Sequence, residues 1–177
     1  MSKKIEEDHW DDAEYWAKKD AEFAKLYPDC PKPKDIECLN LIMRREFAEQ
    51  ILRGEKKIEL RAFSEHYFNR LVDKDVSRYI MAHEDDEVFQ DYLPCVSDLR
   101  QVKKIHFHNY NNSWFLDVEC PINTQRFAIK RDAEFLYEKY GSDDLLQLTR
   151  DLDAKKEQNR PCFFVFALGK VLDTNLK

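Results

Sequence analysis

The pattern of apolar and polar positions divides the chain into a helical start, a linker and a longer mixed region. From Asp8 to Tyr27, apolar side chains such as Trp10 and Trp16 recur at helical spacing, with charged residues between them. This period predicts an amphipathic helix of about five turns, at 3.6 residues per turn. Three prolines in the stretch "YPDCPKPKD" then end the helix and predict a linker.

Beyond the linker, the pattern predicts a strand, a helix, a glycine stop and a second strand. The apolar run 38–43 has the length of a strand. The next segment, "RREFAEQILRG", has helical periodicity and places Gly54 where a helix C-cap belongs. The segment 57–63 then alternates as a strand does. Its charged face carries Lys57, Glu59 and Arg61.

The rest of the chain is predicted to be helical at first and then mostly strand. Residues 64–99 contain apolar stripes at helical spacing, which predicts a helical insert. The segments "KKIHFHNY" and "SWFLDVEC" flank Asn111 and Asn112, a polar turn that predicts a β-hairpin. A helical region follows Pro121, and the apolar run 162–172 predicts one long central strand.

These elements amount to about five strands with helices between them, which predicts an α+β fold built on a small β-barrel. The barrel carries inserted helices and an N-terminal helical extension. We place the N-terminal helix and proline-rich linker at 1–34 and the domain at 35–177, with its helical insert at about 64–99. A chain of 177 residues has room for one such domain and an extension.

Composition narrows the class of protein. Hydrophobic residues make up 43% and aromatic residues 13% of the chain, which excludes a disordered polyelectrolyte. The net charge of −6 argues against a broad basic surface for duplex DNA. A local basic cleft remains compatible with it, because charges act over about 8 Å at physiological salt.

Cysteine usage and hydropathy predict a cytoplasmic protein with reduced thiols. The five cysteines are scattered, and no Cys-x-x-Cys pair suggests a zinc ribbon or a redox dithiol. The sequence shows no signal peptide, and no apolar run is close to the length of about 18 residues that a membrane span needs. His106 and His108 alternate on one predicted strand without an obvious third zinc ligand, so neither a metal site nor a cofactor is expected.

A turn rich in charged residues is the strongest candidate for a functional site. Gly54, Lys56, Glu59 and Arg61 follow the pattern Gly-x-Lys-x-x-Glu-x-Arg. A carboxylate between two cations stays ionised and accepts a hydrogen bond from an exocyclic amine, while the cations hold a carbonyl or a phosphate. The alternative is that these charges only neutralise one another on an exposed strand.

The segment "LNLIMRREFAEQILRGEKKIELR" resembles the start of the ASCH domain, a member of the PUA-like β-barrel superfamily with this four-residue signature. The resemblance extends in outline over Asp35 to Leu172, apart from the insert. It implies a PUA-like barrel that binds RNA or a nucleotide- or nucleoside-like ligand in a cleft built on Lys56, Glu59 and Arg61. On this hypothesis, Lys56→Ala and Arg61→Ala weaken binding and leave the melting temperature nearly unchanged.

Other residues are candidates for the same ligand site. Lys57 adds a positive charge beside the motif, and the rings of Tyr110 and Trp114 either stack on a base or belong to the core. If the strand that begins near Lys103 and Lys104 lies alongside, it extends a basic face. Such a face suits single-stranded RNA or a nucleotide better than duplex DNA, which needs a larger footprint.

Two further functions remain open. A class of small bacterial relatives with a similar turn hydrolyses N4-acetylcytidine, using a lysine that matches Lys56 and a threonine nucleophile that matches Glu59. A carboxylate cannot replace that hydroxyl in acyl transfer, but Glu59 can act as general base for water, with Lys56 as oxyanion partner. The third reading is a protein-interaction module that uses the N-terminal helix, with Trp10 and Trp16, to bind a partner.

Overall fold

A computed structural model describes residues 12–152 and 161–177 of the chain. These residues form seven α-helices and seven β-strands. The helices are α1 (Ala13–Leu26), α2 (Arg45–Leu52), α3 (Glu65–Leu71), α4 (Lys74–Ala82), α5 (Glu87–Asp91), α6 (Lys130–Tyr140) and α7 (Asp144–Leu152). The strands are β1 (Ile36–Ile42), β2 (Ile58–Ala62), β3 (Val102–His108), β4 (Phe115–Glu119), β5 (Asn123–Phe127), β6 (Cys162–Ala167) and β7 (Val171–Thr174).

The strands form two sheets, and within the described ranges neither sheet closes into a barrel. One sheet has the order β1-β3-β4-β7 and the other the order β2-β6-β5. Strands β1 and β3 are parallel, whereas every other neighbouring pair is antiparallel. The predicted α+β class and the hairpin of β3 and β4 are confirmed, but the strands number seven rather than about five.

Strand β5 lies where the sequence predicted the start of a helical region. Its residues carry few apolar side chains, so they show no clear period. Asn123 fixes the strand instead: its amide oxygen accepts a hydrogen bond from the Val102 amide at 2.8 Å, and its amide nitrogen donates to the Arg100 carbonyl at 2.9 Å. Asn123 is buried and makes both bonds away from its own sheet.

The single long strand predicted at 162–172 is wrong, because the structure divides it between two sheets. Strand β6 is central in the three-stranded sheet, as expected, whereas β7 lies at the edge of the four-stranded sheet. Gly169 lies between them, and a Cβ atom at this position would come within 3.0 Å of Pro121 Cγ. The glycine therefore allows the close approach that the change of sheet requires.

Two structural units divide the described residues. The first contains residues 12–33 and Val72–Leu99, and the second contains Lys34–Leu71 with the described part of Arg100–Lys177. The predicted helical insert at 64–99 is therefore split, because α3 belongs to the second unit and α4 and α5 belong to the first.

In the first unit, α1 packs on the region around α5. The ring of Phe23 is buried and lies 5.9 Å from the ring of Phe89 and 6.2 Å from that of Tyr92. The Tyr27 hydroxyl donates a hydrogen bond of 2.8 Å to Asp86, the N-cap of α5. This face of α1 therefore contributes to the core of its own unit. Trp10, which was predicted to belong to the same helix, lies outside the described residues.

The second unit has apolar layers on both sides of the three-stranded sheet. Val165 of β6 packs with Leu136 of α6 and Leu145 of α7 in one buried cluster. Its neighbours Phe164 and Phe166 are also buried and, by strand alternation, belong to the other face. Strand β6 is thus apolar throughout because both of its faces are covered. Among the described helices, none is long and apolar enough to cross a membrane.

Candidate ligand-binding cleft

The charged motif is positioned by the turn between α2 and β2. Gly54 has φ 73°, a left-handed conformation that costs other residues free energy, and its amide donates a 3.0 Å hydrogen bond to the Ile51 carbonyl. The amide of Lys56 donates to the Gln50 carbonyl at 3.2 Å. The turn therefore delivers Lys56 just before β2, on which Glu59 lies.

Glu59 is a buried carboxylate held between two cations. Its side chain is 9% exposed, and its Oε2 lies 3.2 Å from Lys56 Nζ. Its Oε1 lies 2.8 Å from Arg61 Nη2. The structure thus brings together the three charged residues of the motif, and their carboxylate lies inside the fold rather than on an exposed strand. These ion pairs compensate for the cost of burying the charge.

Arg61 is held from several sides. Its Nη2 donates a 2.8 Å hydrogen bond to the Ile42 carbonyl of β1, and its Nη1 lies 3.4 Å from the Tyr67 hydroxyl of α3. Its Nε is buried without a hydrogen-bond partner in the parts of the chain that the structure describes. Arg61 is therefore a fixed cation that connects β2 with the end of β1 and with α3.

A cleft of about 390 Å³ opens beside Arg61. Nine of the described residues line it, from β1, β2, α3, β3 and the turn after β3. Two of the nine are arginines, two are histidines and none carries a carboxylate, although the protein as a whole has a net charge of −6. The cationic and imidazole groups are Arg61, His66, Arg70 and His108.

Helix α3 contributes residues that the sequence analysis did not assign to the site. His66 and Arg70 lie four residues apart and so share one helix face, with Arg70 Nη1 3.5 Å from His66 Nε2. Tyr67 lies between them and reaches Arg61. The i, i+4 spacing directly after the motif strand was the available signal, but the segment was attributed to a helical insert that the family resemblance does not cover.

The end of β3 and the turn that follows supply another part of the lining. His108 lies opposite Ile42 of β1, and its Nδ1 donates a 2.9 Å hydrogen bond to the Asn109 carbonyl. Tyr110 follows in the turn and is 88% exposed, so its ring is available to a ligand. Asn40 of β1 adds a side-chain amide to the lining.

Some of the predicted ligand residues line the cleft, and others do not. Arg61 and Tyr110 line the cleft, whereas Lys56 and Glu59 lie beside Arg61 and are not part of the lining. Lys57 is exposed and is likewise absent from the lining.

The suggested stacking role of Trp114 is wrong, because its side chain is only 5% exposed. Trp114 precedes β4 and alternates with the buried residues Leu116 and Val118, which face the core. Phe115 points to the opposite, half-exposed face, where its ring stacks on that of His106 at 5.7 Å.

The basic face predicted around Lys103 and Lys104 is neutralised by acidic neighbours. Lys103 pairs with Asp35 at 2.9 Å, and Lys104 pairs with Asp117 at 3.3 Å. In both cases, the hydrogen bond to the carboxylate raises the pKa of the lysine above its ordinary value. Asp117 also accepts a hydrogen bond of 2.5 Å at His106 Nδ1, so this surface carries little excess positive charge.

No family model, curated protein or solved structure matches this chain. Its fold and site define it as an α+β protein with a polar cleft. Cationic side chains and an exposed aromatic ring line this cleft. In the residues that the structure describes, no three His, Cys, Asp or Glu side chains are grouped so that they could hold a metal ion.

Proposed function

We propose that this protein binds a nucleotide or single-stranded RNA in the cleft beside Arg61. The observation that carries the proposal is the lining of the cleft, where the described residues include two arginines and two histidines and no carboxylate, in a protein with a net charge of −6. Guanidinium groups form strong, geometrically matched hydrogen bonds with phosphate oxygens. The exposed ring of Tyr110 offers a stacking surface for a base.

The size of the cleft favours a small ligand. Its volume of about 390 Å³ lies toward the lower end of the range of roughly 300–1,000 Å³ for ligand pockets. The cleft therefore suits one nucleotide, free or within a single strand. Duplex DNA requires a larger, more basic surface than this acidic protein offers around the cleft.

We also propose that the second unit is an ASCH-like domain with a partly open, PUA-like barrel. The order of β1, α2, the Gly54 turn and β2 supports this assignment. Two side chains link the two sheets: Arg61 of β2 bonds to the Ile42 carbonyl of β1, and Asn123 of β5 bonds to the Val102 amide at the start of β3. Such links are expected where two sheets form opposite sides of a small barrel.

The amidohydrolase alternative receives less support from the geometry. Both oxygens of Glu59 are engaged by cations, and neither Glu59 nor Lys56 lines the cleft. A general base needs a free oxygen within hydrogen-bond reach of the attacking water.

For the protein-interaction alternative, the burial of Phe23 shows that one face of α1 is already used within its own unit.

All five thiols are free, which supports our proposal of a reducing, cytoplasmic location.

Native mass spectrometry against one mixed ligand panel tests the proposal. The panel contains short single-stranded RNAs, free nucleotides and cytidines acylated at N4. We expect an RNA or nucleotide adduct that is lost in Arg70→Ala and kept in Arg45→Ala, an exposed arginine of α2 outside the cleft. An adduct that Arg70→Ala leaves unchanged, or no adduct at all, contradicts the proposal. Removal of the acyl group without a lasting adduct favours the hydrolase.

A further inference from the structure

We infer that the ligand of this cleft carries a terminal phosphate, bound by His66, Tyr67 and Arg70, and a ring that stacks on Tyr110. This inference rests on the proposed function and specifies the chemical class of the ligand. The cationic residues come from β2 and α3, whereas β1, β3 and the turn after β3 provide amide and ring side chains. A ligand with one charged end and one planar end matches this division.

Arg61 orients a neighbouring donor at the phosphate-binding end of the cleft but is not the main contact of the phosphate. Its Nη2 already has two acceptors, the Glu59 carboxylate and the Ile42 carbonyl. Its Nη1 approaches the oxygen of the Tyr67 hydroxyl at 3.4 Å. A hydroxyl that accepts a hydrogen bond keeps its own proton to donate. Arg61 therefore turns Tyr67 into a donor toward the cleft.

Arg70 and His66 add further donors beside Tyr67. In the described residues, Arg70 has no carboxylate partner, and its Nη1 contacts His66 Nε2 at 3.5 Å. Arginine only donates, so His66 Nε2 accepts and Nδ1 carries the ring proton. The hydroxyl, the guanidinium and the imidazole thus provide three donor groups from one short helix.

Three donor groups suit a phosphomonoester better than a phosphodiester. A terminal phosphate has three oxygens available as acceptors and a charge of about −1.5 to −2 near pH 7. A diester within a strand has two such oxygens and a single negative charge. Lys56 and Arg61 share the single carboxylate of Glu59, and Arg70 adds a third cation beside them. The resulting excess of two positive charges is compensated more fully by the monoester than by the diester.

The opposite end is suited to a planar ring. Tyr110 lies in a turn held by Asn109, whose side-chain oxygen accepts a 2.9 Å hydrogen bond from the Ser113 amide. A ring on a fixed turn loses little conformational entropy when a base stacks on it. The side-chain amide of Asn40, with its NH2 donor and its carbonyl acceptor, can pair with the edge of that base.

Calorimetric titration with matched ligands tests the inference. The probes are uridine, uridine 5′-monophosphate, inorganic phosphate, and one trinucleotide with either a 5′-phosphate or a 5′-hydroxyl. We expect each 5′-phosphorylated probe to bind at least about tenfold more tightly than its unphosphorylated partner, because the partner lacks the charge-assisted hydrogen bonds to the phosphate. Tyr67→Phe and Arg70→Ala should reduce this ratio, whereas Tyr110→Ala should weaken both partners equally. Arg45→Ala is the control.

The results separate this inference from the proposed function. Equal affinity for the 5′-phosphate and 5′-hydroxyl trinucleotides overturns the terminal-phosphate inference and leaves nucleotide binding intact. A phosphate preference that neither Tyr67→Phe nor Arg70→Ala changes also overturns it, provided that both variants melt as the unaltered protein does. If none of the probes binds, both the inference and the proposed function fail.

Discussion

Arg61 Nη2 lies 2.8 Å from Glu59 Oε1, and the carboxylate in this ion pair belongs to a residue that is only 7% exposed. Lys56 holds the second oxygen at 3.2 Å. A charge buried to this extent depends on its partners, because an unpaired buried carboxylate costs several kcal/mol. The motif is therefore part of the stability of the domain as well as a border of the cleft.

This geometry revises the expectation that Arg61→Ala leaves stability unchanged. The substitution removes one of two cations from Glu59, so we expect a loss of about 2–3 kcal/mol in the free energy of unfolding, less than for a fully buried pair. Urea denaturation measures the loss. The double variant Glu59→Leu with Arg61→Met should recover part of it. A loss below about 0.5 kcal/mol in the single variant would contradict the structural role.

Gly54→Ala isolates the contribution of the backbone at the motif turn. Gly54 has φ 73°, and a Cβ atom there would have nothing within 4 Å, so no steric clash accompanies the change. We expect a loss of about 1 kcal/mol, from the left-handed conformation alone. Thermal or urea unfolding measures it. Gly54→Asn should lose less, because asparagine adopts this conformation more readily, and equal losses would contradict the explanation.

Asn123→Ala tests the connection between β5 and the start of β3. The substitution leaves the Val102 amide and the Arg100 carbonyl without their side-chain partner. We expect a loss of about 2 kcal/mol, since a buried group left unsatisfied costs its full desolvation penalty. Gln125→Ala, at an exposed position of the same strand, is the control and should change stability by less than about 0.5 kcal/mol. Similar effects of the two changes would argue against the connection.

Sequence periodicity was sufficient where a segment has one buried face. The order β1, α2 and β2 was predicted because the apolar spacing and Gly54 agree with the structure there. Strand β5 was not predicted, because its polar residues are held by the amide of Asn123, which has no periodic signature. The burial of Trp114 could have been predicted, since it alternates with Leu116 and Val118 while Asp117 occupies the other face.

The cleft could be predicted only in part. Arg61 belongs to a local motif, but His66 and Arg70 join it through the packing of α3 in the second unit. The segment that contains α3 and α4 has apolar stripes at helical spacing before and after Leu71, and nothing in this spacing shows that the chain passes into another unit there. Long-range topology therefore determined which residues meet at the site.

The reactivity of the five thiols provides a test of burial at mild alkaline pH. Burial raises the pKa of Cys120 to about 12, and burial together with a hydrogen bond to Asp20 raises that of Cys95 to about 11. A raised pKa leaves less thiolate at pH 8, so alkylation slows. Cys38 is exposed and should react first with iodoacetamide, as followed by peptide mass mapping. In urea the five rates should converge. A Cys120 rate equal to that of Cys38 in the folded protein would contradict this burial.

The dependence of binding on salt should report how many phosphates the protein contacts. For single strands, log K falls with log salt concentration by about 0.7 for each neutralised phosphate. A cleft of about 390 Å³ that is lined by Arg61 and Arg70 should engage one or two phosphates. We therefore expect a slope between about −0.7 and −1.4 for a 5′-phosphorylated trinucleotide. Titration at several salt concentrations measures this slope. A slope steeper than about −3 would mean that the strand also contacts cations outside the cleft, because the lining itself has too few.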